Sequence, residues 1–186
     1  MFTLEEKKFI LTLARLAIAH YFESGKLPKI SLTEVPGKTL LKDGACFVTL
    51  TIAGALRGCV GHLEAIQPLY LDIMKNAVAA AFEDTRFFPL QSEELAQTDI
   101  EVSILSESKP LSFLSPEDLL AKLQPGQDGV IIRRGNFSAT YLPQVWEELP
   151  AKKDFLTSLC LKAGLAVDSW TKPGLEVSTY QVEVIK

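Results

Sequence analysis

Cysteine is scarce in this chain of 186 residues: Cys46, Cys59 and Cys160, an odd number and widely spaced. A secreted disulfide framework normally carries an even set at tight spacing, so none is expected. Histidine is scarcer still, with only His20 and His62. A closed zinc site needs four well-spaced ligands, and Cys59/His62 is an isolated pair, so neither a metal nor a cofactor is expected. No apolar run reaches about 18 residues, which excludes a membrane-spanning helix at the level of sequence. The first eight residues, Met1 to Lys8, are charged where a signal peptide would be basic and then apolar, and a cytoplasmic location follows. Excess positive charge is also missing. Nineteen Lys and Arg against 23 Asp and Glu leave a net charge of −4, which argues against a general nucleic-acid binder. Gly37-Lys38-Thr39 looks like the end of a phosphate loop, but Leu32 stands where the earlier glycine is required.

What remains is ordinary globular composition: 47% hydrophobic and 23% charged residues. A chain of this length forms one domain by default, 1–186, and buries enough surface to need no staple. Thr3 and Glu6 form a capping-box pattern that opens a helix ending before Gly25. Phe9, Ile10, Leu13, Leu16, Ala17 and Tyr21 repeat at helical spacing as its buried stripe. Residues 26–44 read as an irregular connector. Cys46–Ile52 and Ala55–Val60 alternate around Ala53-Gly54 as a hairpin. Pro68 starts a second helix that runs to about Glu83, with Leu69, Ile73, Ala77, Ala80 and Ala81 inward. A strand follows at Ile100–Leu105, a short helix after Ser115, and a second hairpin around Gly135-Asn136. A helix over 153–163 and a strand over 176–185 close the chain. Hairpins mixed with helices, without regular βαβ alternation, indicate an α+β fold with a mainly antiparallel sheet flanked by helices. A division into two lobes, broken somewhere in 106–128, stays open.

The segment that could carry chemistry is Arg57-Gly58-Cys59-Val60-Gly61. Glycine permits positive φ or close backbone approach, and amides in such a turn can form an anion-binding nest. Arg57 and Cys59, two apart in a strand, share a face, and a guanidinium beside a thiol favours the thiolate. His62 could then act as base, giving Cys59 and His62 as candidate catalytic residues. The competing reading is packing: small apolar cysteines are among the most buried residues, and the glycines could serve a bulge or strand crossing. Both readings stand for Cys59, whereas Cys46 and Cys160, within a strand and a helix, read as packing residues.

Leu56-Arg57-Gly58-Cys59-Val60-Gly61 resembles the six-residue signature of the AMMECR family. Gly44–Leu50, Asp84–Leu90, Ile100–Leu105, Leu142–Trp146, Lys162–Leu165 and Trp170 agree with it in order, over about residues 5–185. The short length is similar to the prokaryotic branch, AmmeMemoRadiSam system protein A. Val60 stands where isoleucine is more usual, and His62 falls where the family varies. The resemblance implies an α+β fold with a cleft beside the signature. It also implies Memo-like and radical-SAM protein partners, and brings no established activity. It makes Arg57, Gly58, Gly61, Asp84, Arg86, Glu101 and Gln144 candidate binding residues. Two functions follow as expectations: a binding or scaffold component of that system, taking a small molecule or a partner at Arg57–Gly61, or an enzyme using Cys59 as nucleophile or reactive thiol on a small anionic substrate.

Overall fold

The computed structural model describes all residues, 1–186, and the chain is α+β. The residues pack as two compact units, Met1–Leu105 with Glu183–Lys186, and Ser106–Val182, the first break falling at the start of the segment 106–128. No helix is long and apolar enough to cross a membrane.

The first unit begins with helix α1, Leu4–Ser24. Thr3 caps it by accepting from the Glu6 amide, while the Glu6 carboxylate accepts from the Thr3 amide at 2.8 Å. Gly25 ends it at φ 65°. Strands β1 (Ala45–Ile52) and β2 (Ala55–Gly61) form the first hairpin, turned by Ala53 and Gly54, both at positive φ. Helix α2 (Leu69–Phe82) precedes β3 (Thr98–Leu105), and β8 (Val182–Ile185) completes a sheet in the order β2-β1-β3-β8. Both β2 and β3 pair antiparallel with β1. Val48, Leu50, Ile100, Val102 and Ile104 alternate toward the helices and meet Ile10, Leu13, Ala14, Ala17, Ile18, Ile73, Ala77, Ala80 and Ala81 in one core. Leu16, placed by periodicity on the buried stripe, is instead 44% exposed, because α1 turns Ala14 and Ile18 inward.

Two features of β2 depend on close packing. Opposite Leu50/Thr51 the register slips: Leu50 faces Gly58 and Thr51 faces Leu56, so Arg57 is the extra residue of a bulge. Gly58 then faces α2, and a Cβ there would run into the Ala80 carbonyl oxygen. A Cβ at Gly61 would meet the Cys46 carbonyl and the Phe47 ring. Neither glycine has positive φ, so close approach alone requires them. Residues 55–61 are strand throughout, so their amides lie along an edge strand, and no turn exists there to form the nest expected from sequence.

The second unit contains β4 (Lys109–Pro110), α3 (Pro116–Lys122), β5 (Gly129–Arg134), β6 (Phe137–Tyr141), α4 (Val145–Glu148), α5 (Lys152–Lys162) and β7 (Glu176–Tyr180). Its sheet order is β4-β7-β5-β6. Trp146 stacks on Phe155 with centroids 3.6 Å apart, and its indole N–H donates to the Asp128 carbonyl at 2.8 Å. The single strand expected over 176–185 is two strands in two sheets. At Gln181 the amide donates to Ser106 Oγ and the carbonyl accepts from the Ser106 amide, so the ladder is interrupted between the two strands.

Replacing Gly58 by alanine is expected to push β2 from α2 and destabilise the protein by about 1–3 kcal/mol, as overpacking does. Urea unfolding of Gly58→Ala against wild type measures this; an unchanged midpoint would show that the helix can yield at no cost.

Candidate functional site

Cys59 lies on the face of the first unit's sheet that points away from α2, since its neighbour Gly58 faces the helix. Directly across β1 is Thr49, and across β3 from Thr49 is Glu101. Strand order thus sets a thiol, a hydroxyl and a carboxylate side by side in one row. Thr49 Oγ1 donates to Cys59 Sγ at 3.3 Å, and Lys186 Nζ reaches Glu101 at 2.7 Å. A cavity of about 550 Å³ opens beside the hydroxyl and the carboxylate, lined by Thr49, Thr51, Asp99, Glu101, Arg15 and Lys186 among others but not by Cys59. Of the three thiols, only Cys59 is not buried. Burial, reinforced by the Asp72 carboxylate, pushes the Cys46 thiol well up, and burial likewise raises Cys160.

Arg57 is directed elsewhere. The bulge sends its guanidinium to Glu94, which it grips with Nε and Nη2 at 2.9 Å each, while Nη1 donates to the Phe88 carbonyl at 2.8 Å and Nη2 to that of Pro89 at 3.4 Å. This fork holds Glu94 below the ordinary carboxylate range, helped by the Gln91 amide. Arg57 therefore fastens the segment after α2 to the sheet edge. The guanidinium beside Cys59 belongs to Arg86, whose Nη2 lies 3.4 Å from the Cys59 carbonyl oxygen. Arg86 in turn forks onto Asp84 at 2.9 and 2.7 Å, and Asp84 accepts the Cys59 amide at 2.8 Å. The Arg86 guanidinium is the main reason the Asp84 carboxyl sits far below its usual range; the Cys59 amide adds to it, against the upward push of burial.

His62 does not hydrogen-bond to Cys59. It follows β2 on the helix side, where Nδ1 meets Asp72 Oδ1 of α2 at 2.8 Å. Gln144 lies in the second unit, exposed before α4, with no side-chain capping bond. Sequence reasoning passed over Glu94, Thr49 and Asp72. Thr49 and Glu94 carry no local signal, since both are placed by strand pairing or by a partner more than thirty residues away. Asp72 left one: with Asn76 it falls between Leu69, Ile73 and Ala77, a polar pair within an otherwise apolar helix face. No group of three or more His, Cys, Asp or Glu side chains is placed to hold a metal ion.

Asp84→Ala leaves the Cys59 amide and Arg86 without their acceptor, and at pH 7 should cost about 1–3 kcal/mol. Because the folded carboxyl is depressed, its contribution is complete above the unfolded value of about 4 and fades as pH falls below it. The stability gap between wild type and Asp84→Ala, read by urea unfolding, should therefore hold from pH 5 to 8 and shrink below about pH 4. A gap independent of pH would contradict this assignment.

The AMMECR1 family model matches residues 11–185, which reach into both units. Protein MK0488 of Methanopyrus kandleri is 40% identical over 192 residues, covering 99% of this chain and 89% of the relative. Protein NEQ441 of Nanoarchaeum equitans is 39% identical over 179 residues, covering 95% and 99%. The crystal structure of uncharacterized protein PH0010 from Pyrococcus horikoshii superposes with a TM-score of 0.84 at 34% identity, over 97% of this chain and 90% of that one. Matched by the family model over residues 11–185 and by relatives 40% and 39% identical along nearly its whole length, the chain belongs to the AMMECR1 family.

Proposed function

We propose that this protein is a binding component of a system that also contains a Memo-like and a radical-SAM protein, and that it takes a small molecule at the sheet face around Cys59. Family membership motivates the partners. The observation that carries the site is a cavity of about 550 Å³, a size typical of small-molecule pockets, lined by Thr49 and Glu101, with Cys59 next to Thr49 in the same row but outside the lining. Arg57, Asp84, Arg86 and Glu94 satisfy one another and hold that row's edge strand in place. In this reading Gly58 and Gly61 set strand spacing, and Glu101 with Lys186 offers charge of both signs to a ligand. Gln144, in the second unit, is an exposed polar group available to a partner. A larger cavity of about 710 Å³ lies in the second unit, lined by Leu111, Phe113, Trp170 and Leu175 among others; neither cavity is lined by a signature residue, and only the smaller one adjoins the Cys59 row.

A second reading makes Cys59 a reactive thiol on a small anionic substrate. It is favoured by one observation: the thiol is half-buried, receives a hydroxyl hydrogen bond, and has the Arg86 guanidinium close to its own carbonyl.

Alkylation of the native protein across pH, followed by peptide mass spectrometry, separates the two. Cys59 should label while Cys46 and Cys160 stay protected until unfolding. The binding reading expects Cys59 to label at the rate of an ordinary accessible thiol; labelling much faster than that of a free cysteine peptide would favour the reactive thiol. In pull-downs, tagged protein should retain the Memo-like or the radical-SAM protein encoded in the same cell. Retention of neither, with soluble partners present, would remove the partner assignment.

A further inference from the structure

Behind the sheet, on the opposite face from Cys59, a buried carboxylate organises a second polar cluster. Asp72 is fully buried at the start of α2, yet it is surrounded by donors. Its Oδ2 accepts the Cys46 amide at 3.0 Å and Asn76 Nδ2 at 2.8 Å, with the Cys46 thiol at 3.4 Å. Its Oδ1 accepts Gln67 Nε2 at 2.7 Å and meets His62 Nδ1 at 2.8 Å. These partners are themselves held. Asn76 Nδ2 also reaches the Cys46 carbonyl at 3.1 Å, and Gln67 Oε1 accepts Lys75 Nζ at 2.6 Å.

An ionised carboxylate is an acceptor only, and it matches this set of N–H donors; a protonated one would set a donor against a donor. His62 Nδ1 therefore carries hydrogen toward Asp72. In the neutral ring that places the lone pair on Nε2, which makes no hydrogen bond within the protein. The His62 side chain is 42% exposed, whereas Asp72 is fully enclosed. Here one nitrogen is fixed by a buried charge and the other is turned outward, which is the division of roles between orienting carboxylate and base.

We propose that His62 and Asp72 form an oriented proton-accepting site, separate from the Cys59 row, for a bound group bearing O–H, N–H or S–H, water included. The X–H bond breaks and an Nε2–H bond forms, the electron pair stays on X, and the imidazolium is balanced by Asp72. Leu63 and Ile66, in the loop after His62, are both exposed.

The test uses native protein labelled with ¹⁵N. Long-range ¹H–¹⁵N spectra above the histidine titration should show His62 with hydrogen on Nδ1 and a bare Nε2. Diethyl pyrocarbonate should modify His62 several-fold faster than His20, the other histidine, with the adduct located by peptide mass spectrometry. His62→Gln keeps a donor for Asp72 and should remove the fast-reacting site without unfolding the protein. Asp72→Asn, where it folds, should bring the His62 rate down toward that of His20; where it does not fold, the tautomer and the wild-type rates decide. Hydrogen found on Nε2, or a His62 rate no faster than that of His20, overturns the proposal.

Discussion

The approach of β2 to α2 at Gly58 sets the geometry of everything around it. No side chain can stand between that strand and the Ala80 carbonyl, so the strand lies close against a helix whose facing residues are themselves small, Ala77, Ala80 and Ala81. Once Gly58 faces the helix, alternation decides the rest. Cys59 turns to the far face beside Thr49, and His62 follows on the near side within reach of Asp72. The bulge that precedes Gly58 takes Arg57 out of the alternation and turns it to Glu94. One steric constraint thus separates three residues that stand within six positions of one another into three environments.

Electrostatics in the first unit follows a common pattern of charges held by fixed donors. Arg57 with Glu94 and Arg86 with Asp84 are forked guanidinium–carboxylate pairs, the arrangement in which planar donors match both oxygens. Arg57 and Asp84 have side chains that are largely enclosed, and each also binds backbone: the carbonyls of Phe88 and Pro89 for one, the Cys59 amide for the other. The pairs therefore tie the segment after α2 to the edge strand β2, which presents Cys59. Asp72 is a different case, a buried charge matched mostly by neutral donors, with its one titratable N–H partner exposed to solvent. Desolvation of such a carboxylate is costly unless its hydrogen bonds are complete, which accounts for Asn76 and Gln67 at positions that would otherwise be apolar or solvent-facing.

Much of the fold was legible locally. The Thr3/Glu6 box, the Gly25 stop, both hairpin turns and the serine cap before α3 are set by residues within four positions of one another, and their chemistry has one solution each. Leu16 shows the limit of periodicity, since a stripe wide enough to include it differs by one rotation step from the face that is buried. The terminal strand shows another: a strand-forming sequence runs from 176 to 185 without a turn signal at Gln181, and nothing local reveals a change of sheet.

For the site, the sequence by itself singled out Arg57–Gly61 as a candidate, because two glycines flanking a cysteine next to an arginine form a pattern that packing alone seldom requires, and because the pattern resembles a family signature. The tertiary structure decided what each residue touches. Strand order placed Cys59 beside Thr49 and Thr49 beside Glu101, the bulge gave Arg57 to Glu94, and helix packing gave His62 to Asp72. The reason is physical: side-chain partners across a sheet or between strand and helix depend on register and on which face is turned inward. Both are fixed by the packing of the whole unit, while the sequence around a residue fixes only its own conformational preferences.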